Sequence, residues 1–179
     1  MKNNMSRFLL TYSSVTGNTR QVADAIHQIL PEDTTFCPVS EAPPPEDFDL
    51  VMIGFWTYRA GPDPAAARYM ETVRNRNVAF FGTLAAYPDS DHARRVIAKA
   101  ETLLSGNRIL DFFLCQGRLA PERLAKRLGG EQADERHPMT EARRLRLLEA
   151  EKHPDARDLA LARERFQMIL EHYRREANS

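Results

Sequence analysis

The chain has 179 residues, within the size of one domain and enough to bury a substantial core. Its 25 basic and 25 acidic side chains cancel, which argues against strong nonspecific attraction to nucleic acid, and 42% hydrophobic with 28% charged residues is ordinary for a cytosolic globular protein. The longest apolar runs, 49–56 and 78–87, fall well short of the ~18 residues of a membrane span, and the opening residues 1–7 carry no signal-peptide core, so a cytoplasmic chain is expected.

Residues Arg7 to Tyr12 read as a short buried strand. Val22, Ala25, Ile26, Ile29 and Leu30 then recur at helical spacing until Pro31 stops the run. Thr34 to Val39 suits a second strand bearing Cys37, followed by a loop with Pro43, Pro44 and Pro45. Asp49 to Phe55 is the continuous apolar run of a parallel strand covered on both faces. Asp63 followed by Pro64 marks a helix start, with Ala66, Tyr69, Met70 and Val73 facing inward. Asn77 to Leu84 is the next buried strand. Asp89 or Ser90 caps a helix whose Ala93, Val96, Ile97, Ala100 and Leu104 form one face. Arg108 to Cys115 completes five strands alternating with helices, the pattern of a parallel sheet flanked by helices. The two cysteines, Cys37 and Cys115, are too few and too scattered for a disulfide framework or a zinc site.

From Arg118 the character changes to a stretch dense in Arg, Glu and Lys. Pro121 to Leu128 reads as a short helix closed by Gly129 and Gly130, with a polar loop to Pro138. Thr140 caps a helix containing Leu145 and Leu148, and the break at His153, Pro154 and Asp155 restarts the chain as a last helix. Its stripe of Leu159, Ala162, Phe166, Ile169 or Leu170, and Tyr173 suits the closing helix of the sheet; the alternative is a dimer seam. His27, His92, His153 and His172 are expected at the surface, in no metal-ligand spacing. A single domain is expected, with a core of about 6–117 plus 155–176 and an insertion over about 118–154.

The chemistry concentrates in Ser13-Ser14-Val15-Thr16-Gly17-Asn18-Thr19, between a buried strand and a helix start. Backbone N–H groups and the helix dipole favour an anion there. Ser13, Ser14, Thr16 and Thr19 offer hydroxyl donors without charge, and Gly17 admits close approach. Such a cradle suits a phosphate monoester. There is no Gly-Lys-Ser/Thr, no G-x-G-x-x-G and no nucleophilic cysteine loop, so triphosphate, dinucleotide and phosphatase readings fit poorly.

With Thr16-Gly17-Asn18-Thr19 the sequence resembles the flavodoxin family, over roughly residues 6 to 117 plus the final helix. The resemblance implies a five-stranded parallel sheet of order 2-1-3-4-5, helices on both faces, and flavin mononucleotide (FMN) at the carboxyl ends of the strands. It also implies that the loops after strands three and four hold the ring. These carry Phe55, Trp56, Thr57, Tyr58 and Gly61, then Thr83, Leu84, Ala85 and Tyr87, with Cys115, Gln116 and Gly117 beyond strand five. Trp56, Tyr58 and Tyr87 are the candidate stacking faces. Residues 80–88 and 115–117 are similar to a subgroup that includes partners of bilin reductases.

Acidic flavodoxins surround the flavin with negative charge, whereas Arg59 and Arg68 stand near this loop. A cation there would favour reduced, anionic flavin. Arg118, Arg123, His137 and Met139 form either a docking flap or a solvated insertion. No catalytic residue is singled out. The expected function is an FMN-binding electron carrier, monomeric or weakly dimeric, between a flavodoxin reductase and an acceptor enzyme. The alternatives are an NAD(P)H or quinone oxidoreductase using FMN and a cofactor-free interaction module.

Overall fold

Buried strands and amphipathic helices close into one parallel sheet in the computed structural model, which describes residues 6–129 and 139–177. β1 (Phe8–Tyr12) is buried throughout, and α1 (Asn18–His27) follows across the loop 13–17. β2 (Thr35–Pro38) pairs with one side of β1 and β3 (Leu50–Tyr58) with the other. The segment 54–61, expected as a loop, is instead the end of β3 and a hairpin. The strand continues to Tyr58, turns at Arg59 and Ala60, and returns as β4 (Gly61–Pro62). Arg59 and Ala60 have φ of 47° and 60°, as a tight two-residue hairpin demands.

The chain continues through α2 (Pro64–Met70), β5 (Asn77–Leu84), α3 (Asp91–Leu103) and β6 (Arg108–Gln116). Three helices follow: α4 (Pro121–Leu128), α5 (Glu141–Ala150) and α6 (Ala156–Ala177). The five parallel strands run β2-β1-β3-β5-β6, which is the expected order 2-1-3-4-5 once the antiparallel β4 is set aside. Asp63 and Ser90 cap α2 and α3 through their side chains.

Alternate residues of the central strands feed two cores. Leu10, Met52 and Phe81 meet Val22 and Ile26 of α1 and Phe166 and Leu170 of α6. Val51, Ile53, Phe55 and Phe80 meet Met70, Val96 and Leu104 on the opposite face. Gly54 pairs with Phe81, and Phe55 with Gly82, across β3 and β5. A Cβ on Gly54 would fall 2.3 Å from the Phe81 ring, so the small residue makes the space that the aromatic fills. Phe81 then meets Phe166 edge to face at 5.7 Å.

The apolar stripe of α6 therefore packs on the sheet: Ala162, Phe166, Ile169, Leu170 and Tyr173 are buried. The inward face of α5 is not the one that bears Leu145 and Leu148. Leu147 and Ala150 are buried, while Leu145 and Leu148 stay exposed, because the helix meets its neighbours through the opposite side. Gly130, the loop to Pro138 and His137 lie outside the described residues.

Candidate functional site

The loop between β1 and α1 opens at the carboxyl ends of the strands, where the chain leaves β1 for one face and β3 for the other. Gly17 takes φ of 86° at the helix N-cap, a conformation that a side chain disfavours. Ser13 N–H donates to the Gly54 carbonyl at 2.9 Å, and Ser13 Oγ donates to Asp63 Oδ1 at 2.8 Å. That buried carboxylate also accepts from Ala65 N and Ala66 N, so one group caps α2 and braces the loop. Ser14 Oγ accepts from Arg20 N at 3.3 Å. With glycine at the cap and that bond reaching only Arg20, the amides of Asn18 and Thr19 have no side-chain cap.

A cleft of about 150 Å³ adjoins this helix start. It is lined by Val15, Thr16 and Asn18, by Trp56 and Thr57 of β3, by Thr83 and Leu84 at the end of β5 with Ala85 just beyond, and by Gly117 to Ala120 with Arg123. Parallel strands end in step, which brings together residues far apart in sequence. Asn18 Nδ2 donates to the Arg118 carbonyl at 2.8 Å and ties the wall across the cleft. A Cβ on Gly117 would meet Asn18 Nδ2 at 2.8 Å, so glycine permits that closure. Thr19 and Thr83 share a buried hydroxyl bond of 2.9 Å beneath the loop.

The remaining expected residues stand elsewhere. Phe55 is fully buried against Phe80, since the strand's alternation turns it into the core and Trp56 toward the cleft. Tyr58 is at the hairpin, with the Arg59 guanidinium 5.2 Å from its ring centroid, so the cations lining the cleft are Arg118 and Arg123 rather than Arg59. Gly61 packs on Lys99 of α3. Tyr87 is exposed outside the cleft. Cys115 is buried in β6, where desolvation, helped by Asp158 and Asp155, pushes its thiol far above the usual range. Gln116 is buried, with its Nε2 lacking a partner among the described residues.

Sequence reasoning missed Leu119 and Ala120 in the wall, and the groups that hold them. Arg118 N donates to the His153 carbonyl at 3.0 Å, and Leu119 N to Glu151 Oε1 at 3.1 Å. His153 itself is half-buried rather than exposed. Its Nδ1 is 2.5 Å from Asp158, and its Nε2 is 3.5 Å from Glu149. Burial alone would lower its pKa, but the bonds and charges of Asp158, Glu149 and Asp155 raise it above the ordinary histidine value. His153, Asp155 and Asp158 bring potential ligand atoms within 4.8 Å, yet carboxylates occupy both ring nitrogens and favour an imidazolium clasp. A second groove, about 380 Å³ between β6 and α6, is walled by Phe112, Phe113, Leu161 and Met168, with Arg165 engaged by Asp111; it includes none of the loop hydroxyls.

An open helix start with loop hydroxyls, at the switch point of a 2-1-3-4-5 sheet, is the architecture of a mononucleotide-binding α/β protein. The chain belongs to the flavodoxin domain family, whose model matches residues 9–167. It is 32% identical over 123 residues to the flavodoxin-like domain-containing protein BilS of Clostridioides difficile (strain CD3), covering 66% of this chain and 70% of that protein. Among solved structures, oxidised flavodoxin 2 from Bacillus cereus aligns with a TM-score of 0.52 at 17% identity, over 93% of this chain and 99% of that one. A short-chain flavodoxin associated with a non-canonical PDU bacterial microcompartment aligns at 0.50 and 13% identity, over 62% and 82%. At these identities the structural likeness speaks for the fold alone.

The residues fit FMN, the cofactor that the family implies. Asn18 Oδ1 and Thr57 Oγ1 belong to cleft residues, are buried, and have no partner among the described residues. Buried polar atoms without partners are costly, and a polar ligand in the cleft would satisfy them. The loop amides and hydroxyls suit the phosphate, while Trp56, Leu84 and Ala85 supply apolar walls for a flat ring. Among the described residues, no helix is long and apolar enough to cross a membrane.

Proposed function

We propose that the protein holds FMN in this cleft and carries electrons from a reductase to an acceptor enzyme, for which the subgroup resemblance suggests a bilin reductase. The observation that carries the reading is the pair of unpartnered buried atoms, Asn18 Oδ1 and Thr57 Oγ1, beside the open start of α1. When bound, FMN supplies the one- and two-electron chemistry, and the protein's part is to bind, orient and tune it. Loop 13–17 and the Asn18 and Thr19 amides receive the phosphate. Trp56 offers its indole to the ring, and the Asn18 to Arg118 bond holds the opposite wall. Arg118 and Arg123 put positive charge beside the cleft, which favours a more negative occupant.

Leu119 and Ala120 close one side of the cleft. The test is a visible spectrum after FMN addition, followed by NADH or NADPH without a reductase. Bound flavin that stays oxidised is the expected result. Rapid bleaching would overturn the carrier reading in favour of an enzyme, and absence of binding would leave the cofactor-free module.

A further inference from the structure

Asp63 is a buried carboxylate that touches three of the elements around the cleft and lines none of it. It stands at the turn from β4 into α2. Its amide donates to the Trp56 carbonyl at 3.0 Å, which ties it to the strand that offers the ring wall. Its side chain works through one atom. Oδ1 accepts from Ala65 N at 3.0 Å, from Ala66 N at 3.3 Å and from Ser13 Oγ at 2.8 Å. Oδ2 is buried with no partner among the described residues. The two amides make an ordinary helix cap, which Asp, Asn or Ser supplies about equally well at a surface. Burying a carboxylate with an orphaned oxygen costs stability, and the cap does not require it. The bond that does require it is the third, which runs across 50 residues to the loop between β1 and α1.

A hydroxyl carries a single hydrogen, and that of Ser13 is committed to Asp63. Ser13 Oγ then has none for a phosphate oxygen. Its backbone is held as well, since Ser13 N donates to the Gly54 carbonyl at 2.9 Å. At the other end of the loop, Thr19 shares its hydroxyl with Thr83 at 2.9 Å. The loop is thus pinned at Ser13 and at Thr19, which leaves the hydroxyls of Ser14 and Thr16 with the open helix-start amides to meet an anion. We propose that Asp63 is the positioning residue of this cradle. Acting through the Ser13 hydroxyl, it holds the phosphate loop in register with Trp56 without touching the ligand itself. Ser13 is the link in that chain and not a phosphate donor. This deepens the FMN reading above and rests on it.

The test titrates the protein with FMN and with riboflavin, which has the same ring but no phosphate, and reads flavin fluorescence. Ser13→Ala removes the link and leaves the α2 cap intact. Asp63→Ser keeps an oxygen for the α2 amides but is a bond shorter toward Ser13, and Asp63→Asn keeps an acceptor for all three donors. Ser13→Ala and Asp63→Ser should each weaken FMN about tenfold while riboflavin stays within about twofold of the parent, because the brace acts at the phosphate end. Asp63→Asn should hold FMN within about threefold of the parent. The double variant Ser13→Ala with Asp63→Ser should lose no more than either alone, since the two residues act as one unit. Additive losses would make Ser13 an independent phosphate donor and overturn the proposal. So would equal losses for FMN and riboflavin, which mark a general loosening, or an Asp63→Asn as weak as Asp63→Ser. Amide hydrogen exchange of the flavin-free protein needs no ligand. There the Ser13 amide should exchange about tenfold faster in Asp63→Ser than in Asp63→Asn, with the Ala66 amide unchanged. Equal exchange at Ser13 would deny the brace. A parent that binds neither flavin would indict the cofactor reading instead, and the exchange result would still decide whether Asp63 holds the loop.

Discussion

Asn18→Ala separates structural bracing from ligand contact at the heart of the cleft. Asn18 Nδ2 donates to the Arg118 carbonyl at 2.8 Å, and Oδ1 is buried with no partner among the described residues. Removing the side chain deletes one hydrogen bond, worth about 0.5–1.5 kcal/mol to folding. It also deletes an acceptor free to meet FMN, worth about as much again when the ligand is bound, and loosens the Gly117 to Ala120 wall. Apo stability should therefore fall by about 1 kcal/mol, and FMN affinity should weaken by roughly 1–3 kcal/mol, or about 5- to 150-fold. Urea unfolding of the flavin-free protein reads the first quantity, and a flavin-fluorescence titration reads the second. An FMN affinity within about twofold of the parent, with stability lowered by about 1 kcal/mol, would refute the reasoning: Asn18 would then be a strap and its orphaned oxygen irrelevant to the ligand.

Two further outcomes test the frame around the site. Phe166→Ala should destabilise by about 3–5 kcal/mol in urea, because that ring is fully buried against Phe81; a loss below about 1 kcal/mol would deny that α6 closes the sheet. The His153 clasp should give a pH signature, since its folded pKa is raised from 6.5 by Asp158, Glu149 and Asp155 against the opposing effect of burial. Its contribution is then complete below that ordinary value and is lost as pH rises through the folded pKa. Melting temperatures of parent and His153→Gln should differ most below the ordinary histidine value of 6.5 and converge as pH rises through the raised folded pKa; divergence with rising pH would contradict the clasp.

Much of the fold was legible because its signals are local. Apolar runs such as 50–55 and 77–84 announce buried strands, and Asp63 before Pro64 announces a capped helix. The loop 13–19 was legible for the same reason, since strand, glycine and helix start are contiguous. The parity of a fully buried strand was not. A continuous apolar run does not say which alternate residues face a cleft, so Phe55 and Trp56 looked equivalent until packing sent one inward. On α5, apolar residues on both sides left the inward face undecided, and only its neighbours selected Leu147 over Leu145 and Leu148.

By itself, then, the sequence determined a doubly wound sheet and an anion-favouring loop at its switch point, because hydrophobic period and turn chemistry act over a few residues. Tertiary structure alone decided what the loop works with. Asp63 reaches Ser13 across 50 residues, Asn18 holds Arg118 across 100, and helices α4 and α5 bring Arg127, Arg143 and Arg146 together. Those contacts depend on where parallel strands end in space and on which way a packed helix turns, quantities that no local pattern encodes.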